Sequence, residues 1–204
     1  MNVLALGAHP DDIEYGCGGT FLKLSKKQAN LYYMVLTKGE YGGDPAVRLK
    51  EQKKVLKTLG VKRIFWGGFV DTELPRDREI IISIDKVIDE IHPDEVYVNY
   101  FEDIHQDHRT LASCALAATR YIKKVFFYED YTSVHFEPDI FVDIEDVLEE
   151  KQNLIRAFSS QVKKTYPTKL DMVESVKAIA NYRGFQGKVK YAEGFKAFRY
   201  LRTL

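Results

Sequence analysis

The chain has little cysteine and almost no tryptophan: two residues of the first and one of the second among 204. Cys17 and Cys114 lie almost half the chain apart, which argues against a disulfide framework or a cysteine-based zinc site. Both are expected as small buried apolar residues. No apolar run approaches the ~20 residues that cross a bilayer. The opening MNVLALGAHPDD has no basic leader and soon turns acidic, so no secretory signal is expected and the expected compartment is the cytoplasm. Net charge is missing too, with 30 Lys and Arg against 30 Asp and Glu. A general nucleic-acid binder carries a basic excess, so no nucleic-acid partner is expected. No internal repeat or low-complexity linker breaks the chain, and its length suits a single domain.

What is present is a globular composition, 45% hydrophobic and 29% charged. The charge is unevenly spread. From Val162 onward ten Lys or Arg face three acids, a net +7 that leaves −7 on residues 1–161. Such a segment serves as a solvated face paired with the acidic remainder, as an anion-facing lid, or as a subunit contact.

Short apolar runs without alternation mark buried strands at VLALG, LYYMVLT, RIFWGGF, DEVYVNY and VFFYE. Helical spacing separates them, in TFLKLSKKQ after a glycine-rich loop, in PAVRLKEQKKVLKTLG, in REIIISIDKVIDEI and in RTLASCALAATRYI. Strand and helix in strict alternation predict an α/β fold, a mainly parallel doubly wound sheet with helices on both faces. A core over about residues 1–130 is followed by an extension over about 131–204. That extension holds a strand at FVDI, helices near 145–158 and 169–182, and loops at Ser159–Pro167 and GFQGK.

Two polar clusters follow strands one and four. Ala8-His9-Pro10-Asp11-Asp12 offers an imidazole and a carboxylate three residues apart, with Asp11 left free for acid–base work. Taken alone it also reads as a helix cap. His105-Gln106-Asp107-His108 offers two imidazoles and a carboxylate, although loops with two histidines and no metal are common. In doubly wound sheets strand four neighbours strand one where the winding reverses, so both loops face one crevice. His9, Asp12 and His108 then form a three-ligand set with a position left for water, the catalytic rather than the structural pattern. His92, His135 and Trp66 are expected to play no part. Gly16, Gly18 and Gly19 hint at a dinucleotide loop, but the acids of GAHPDD would repel a pyrophosphate.

With AHPDD (8–12), TKGEYGG (37–43), Arg48 and Glu51 in RLKE, and HQDHR (105–109), the chain resembles the LmbE-like, or PIG-L, family of zinc-dependent de-N-acetylases. It is similar to the deacetylases of bacillithiol biosynthesis. Weaker echoes are FVDI, Lys151, SSQ (159–161) and YAEGF (191–195). The resemblance implies a Rossmann-like single domain and a Zn²⁺ ion, or another divalent metal, on His9, Asp12 and His108. It implies Asp11 as general base and His105, held by Asp107, as the group that stabilises the oxyanion or protonates the amine. Arg48 is implied in substrate binding, and Tyr182 and Tyr191 are weaker candidates for lining the pocket. The substrate implied is an N-acetylglucosamine-type conjugate, deacetylated to acetate and a free amine, and the assembly a trimer or hexamer. Gln106 stands where relatives often carry proline. Alternatives are an amidase for a larger acyl or thiol-sugar conjugate on the same metal site, and a non-catalytic sugar-binding module.

Overall fold

A computed structural model describes residues 1–75, 77–164 and 169–202. Its sheet comprises β1 (Asn2–Gly7), β2 (Asn30–Val35), β3 (Arg63–Trp66), β4 (Glu95–Asn99), β5 (Lys124–Tyr128), β6 (Ile140–Asp143) and β7 (Ala192–Tyr200). The order is β3-β2-β1-β4-β5-β7-β6. The first five strands are parallel, and β7 runs antiparallel to both β5 and β6. The chain is one α/β domain, and β1 and β4 are neighbours as expected.

Among the described residues seven α-helices accompany the sheet: α1 (Asp12–Lys26), α2 (Pro45–Leu59), α3 (Asp77–Ile91), α4 (Gln106–Ala118), α5 (Leu148–Ala157), the single turn α6 (Ser159–Val162) and α7 (Met172–Gly187). The strand period of two divides the core between the two faces of the sheet. Val3 and Ala5 of β1 pack with Phe21 of α1, Val55 of α2 and Leu154 of α5. Leu4 and Leu6 pack with Ile84 of α3 and Leu111 of α4 on the other face. Both cysteines are buried and free. Helix α2 starts at Pro45, a residue suited to a helix's first turn, and stops at Gly60, as its sequence predicts; the Asp44 carboxylate caps it by accepting from Ala46 N–H.

Three expectations need correction, and one strand is new. The glycine-rich segment 16–19 is helical and lies inside α1, which kinks at Cys17. Its glycines serve packing: a Cβ on Gly16 would stand 2.1 Å from the Tyr128 ring. The GFQGK segment extends α7 to Gly187 instead of turning. Ser159–Val162 forms a helical turn inside the loop expected from Ser159 to Pro167, and residues 165–168 of that loop lie outside the described residues. Strand β7 was not anticipated. Its first half is buried and its second half partly exposed, so it lacks the continuous apolar run of the central strands.

Candidate active site

Both polar clusters sit at the carboxyl ends of adjacent parallel strands. The β1–α1 turn brings His9, Asp11 and Asp12 to the top of β1, and the loop after β4 brings His105 and His108 beside them. Asp12 is fixed first. Its Oδ2 accepts from the backbone N–H groups of Ala8 and His9, each at 3.0 Å, and from Asn99 Nδ2 at 3.3 Å. Asn99 is in turn held by the Tyr128 hydroxyl at 2.9 Å.

Two imidazoles point at that carboxylate. His9 Nδ1 lies 3.6 Å and His108 Nε2 3.3 Å from Asp12 Oδ2. The far nitrogen of each ring is held by other acids: His9 Nε2 lies 3.1 Å from Asp71 Oδ1 and 3.2 Å from Asp107 Oδ2, and His108 Nδ1 lies 3.2 Å from Asp103 Oδ2. A carboxylate on the remote nitrogen of an imidazole is the arrangement that orients metal-ligating histidines. Among the described residues, donor atoms also converge within 4.8 Å in three overlapping sets: His9 with His105 and His108, His9 with Asp71 and Asp107, and Asp12 with His108 and Asp130.

The electrostatics match a cation-binding cavity. Burial alone would raise Asp12, but the His108 and His9 imidazoles outweigh it and hold the carboxyl well below its usual range. Burial would lower both imidazoles, yet the acids around them win: Asp12 and Asp103 lift His108 to about 10, and Asp12, Asp107 and Asp71 lift His9 well above its usual value. Buried Asp130 is pushed up to about 8 by desolvation, against the pull of His108. A divalent ion among these acids would supply the positive charge that the two protonated imidazoles supply in its absence, so the donor set fits a metal.

Asp11 stands apart from this set. It is a buried non-glycine residue at φ 94, a conformation that L residues rarely adopt. Burial raises its carboxyl to about 6, with the Arg48 guanidinium pulling the other way. Arg48 is itself buried on α2 and donates from Nη2 to Pro10 O at 2.7 Å and Asp11 Oδ1 at 3.3 Å, and from Nη1 to Gly39 O at 3.0 Å. Gly39 must lack a side chain, because a Cβ there would fall 1.8 Å from Arg48 Nη1, and its φ is 66. Arg48 therefore braces the β1–α1 turn as well as lining the cavity.

The expected link between Asp107 and His105 is corrected. The Asp107 carboxylate is committed to His9 and to Thr72 N–H at 2.9 Å, while the backbone N–H of Asp107 donates to His105 Nδ1 at 3.2 Å. Burial, then the neighbouring His9 and His108, push His105 below its usual value, so its neutral form prevails. With Nδ1 accepting, the neutral ring carries its proton on Nε2 and is a hydrogen-bond donor.

The cavity over these groups measures about 250 Å³, and Tyr41, Tyr131, Gln161 and Lys164 complete its rim. Gln161 and Lys164 come from the extension. Glu51 seats that segment by accepting from Ser159 Oγ at 3.0 Å, Ser160 N–H at 2.8 Å and Ser160 Oγ at 2.6 Å. Tyr182 and Tyr191 do not line it. Tyr182 is exposed on α7 beneath the Arg183 guanidinium, and Tyr191 packs half-buried against the core. Asp71, Asp103 and Asp130 escaped the sequence reading. Each follows the carboxyl end of a parallel strand, a positional signal that could have found them.

Comparison with known proteins gives a consistent picture. The family model described as PIG-L, GlcNAc-PI de-N-acetylase, matches residues 4–119. A diacetylchitobiose deacetylase of Thermococcus kodakarensis is 33% identical over 95% of this chain and 82% of its own length. A probable N-acetyl-alpha-D-glucosaminyl L-malate deacetylase 2 of Bacillus cereus is 27% identical, over 78% of this chain and 83% of its own. The solved structure of N,N'-diacetylchitobiose deacetylase from Pyrococcus horikoshii superposes with a TM-score of 0.87 at 28% identity, covering 97% of this chain and 83% of that one.

Proposed function

Because the chain belongs to the PIG-L, GlcNAc-PI de-N-acetylase, family, we propose that it is a metal-dependent N-deacetylase of N-acetylglucosamine-type conjugates. The observation that carries the reading is the convergence of the His9 and His108 imidazoles on the Asp12 carboxylate beside a strained, buried Asp11. We assign His9, Asp12 and His108 as the ligands of Zn²⁺ or another divalent ion. That ion would polarise the acetamide carbonyl and make water acidic enough to lose a proton near neutral pH.

The chain's own groups do the rest. Asp11 takes a proton from water as its oxygen bonds to the acetyl carbon. With its pKa raised to about 6, the same carboxyl can return that proton to the nitrogen as the C–N bond breaks. Acetate and a free amine result. His105, neutral and protonated on Nε2, donates to the carbonyl oxygen as it gains charge. Arg48 holds the turn that carries Asp11 and offers its charge to the cavity. Residues beyond about 130 complete the pocket through Gln161 and Lys164.

The protein assayed with Zn²⁺ and methyl N-acetylglucosaminide should release acetate and free amine in equal amounts, and chelation should stop the release. Deacetylation that survives complete metal removal would take the ion out of the reading. A panel of N-acetylglucosaminides yielding no amine would overturn the reading itself.

A further inference from the structure

A second cavity of about 150 Å³ adjoins the first. Its apolar walls are Val162 of α6, Leu170, Met172 at the start of α7, and the Tyr131 side chain. Asp171 and Ser175 also line it, the first capping α7 through the Val173 and Glu174 N–H groups and the second hydrogen-bonded to the Tyr15 hydroxyl and Met172 O. Val162 and Met172 are backed by a buried cluster of Tyr15, Ile155, Val173 and Val176, so this wall belongs to the folded core. The two cavities share Asp11, Tyr131, Gln161 and Lys164, so one ligand can occupy both.

Resting on the deacetylase reading, we propose that this annex binds an apolar aglycone of about the size of a benzene ring, carried on the sugar whose acetamide lies at Asp11. Size supports the occupant, since an apolar cavity of roughly 150 Å³ accepts benzene. The boundary between the cavities decides which end of the substrate enters. Three of the four shared residues, Asp11, Gln161 and Lys164, are polar or charged, so whatever crosses there must offer hydrogen-bonding atoms. A glycoside brings its linking oxygen and ring hydroxyls to that boundary and its apolar group beyond them. A long alkyl acyl chain would cross it as hydrocarbon and leave those groups desolvated without partners.

Titration calorimetry with the methyl and benzyl glycosides of N-acetylglucosamine, and with N-hexanoylglucosamine, tests this without needing turnover. The benzyl glycoside should bind on the order of ten times more tightly than the methyl one, the scale on which an apolar pocket discriminates. Leu170→Ser and Met172→Ser should each shrink that ratio toward one. Leu170 is 67% exposed, so its replacement leaves the core intact. A benzyl glycoside that binds no more tightly than the methyl one, or not at all, overturns the proposal, as does an advantage confined to the hexanoyl compound. Acetate release measured in parallel separates the two readings. Release without benzyl preference removes the annex and keeps the deacetylase. Benzyl preference without release removes the deacetylase and keeps the annex.

Discussion

Asp11 and Asp12 are adjacent and of one chemical type, yet their surroundings drive them in opposite directions. Asp12 is held low between two imidazoles, and Asp11 is raised by burial to about 6. Asp11→Asn should keep the metal and lower kcat by a factor on the order of 10²–10⁴, measured as amine release beside metal content. A near-normal kcat would end the general-base assignment. Because the base must be ionised to act, the rate should fall as pH drops through about 6. Arg48 lowers the Asp11 pKa, so Arg48→Gln should move this acid limb to higher pH, and an unmoved limb would show that the two groups do not couple. The ligand histidines supply a second test. In the metal-free protein His108 titrates near 10 and His9 well above its usual range, so both carry protons at neutral pH. A metal needs their lone pairs, so binding should release protons and tighten as pH rises. Calorimetry in buffers of different ionisation heat reads this directly, and buffer-independent heats would contradict it. His108→Ala should lose the metal with the sheet intact. The two motifs were legible because each packs several chemical groups into four or five residues. Asp71 and Asp130 were not, because the partners that give them meaning lie far away in the chain, as Asp71 meets His9 across 62 residues.

The central strands were legible because burial on both faces removes alternation, and α2 because its initial proline and its terminal glycine are local signals. Segments shaped by distant packing were not. Glycines 16, 18 and 19 argue locally against a helix, yet α1 runs through them, and at 16 and 19 Tyr128 and Ile144 press where a side chain would stand. Strand β7 brings Glu193 under the same helix. Its carboxylate accepts from the backbone N–H groups of Gly19 and Thr20, both at 2.7 Å, just past the kink at Cys17. Lys151 of α5 donates to it at 2.5 Å, and both side chains are buried. Removing one member of a buried pair leaves an uncompensated charge, so Glu193→Leu or Lys151→Met should each destabilise the fold by roughly 3–5 kcal/mol. The double variant should cost less than the two together. Urea denaturation of the three variants checks both statements, and full additivity would mean that the pair is not a unit.

At the scale of the molecule, ion pairs join the −7 and +7 segments. Lys190 pairs with Glu145, Lys196 with Asp139, and Arg183 with Glu129, while Arg199 donates to the Thr119 and Ile122 carbonyls. Four of the ten cations in the basic segment are therefore engaged within the fold. Lys164 differs, because it reaches the cavity rim beside Arg48 and forms no ion pair among the described residues. Burial and the nearby Arg48 lower its pKa, against the pull of the Asp11 and Asp71 carboxylates. A neutral N-acetylglucosaminide should accordingly show a kcat/KM independent of ionic strength. One bearing a carboxylate or phosphate should gain from Lys164, and the gain should fade as salt shortens the Debye length from ~10 Å at 0.1 M to ~3 Å at 1 M. Lys164→Gln should abolish the difference between the two substrates and its salt dependence together. If the anionic substrate keeps a salt-sensitive advantage in that variant, the attraction comes from the segment's whole surface, and the pairing seen along it does not neutralise its field.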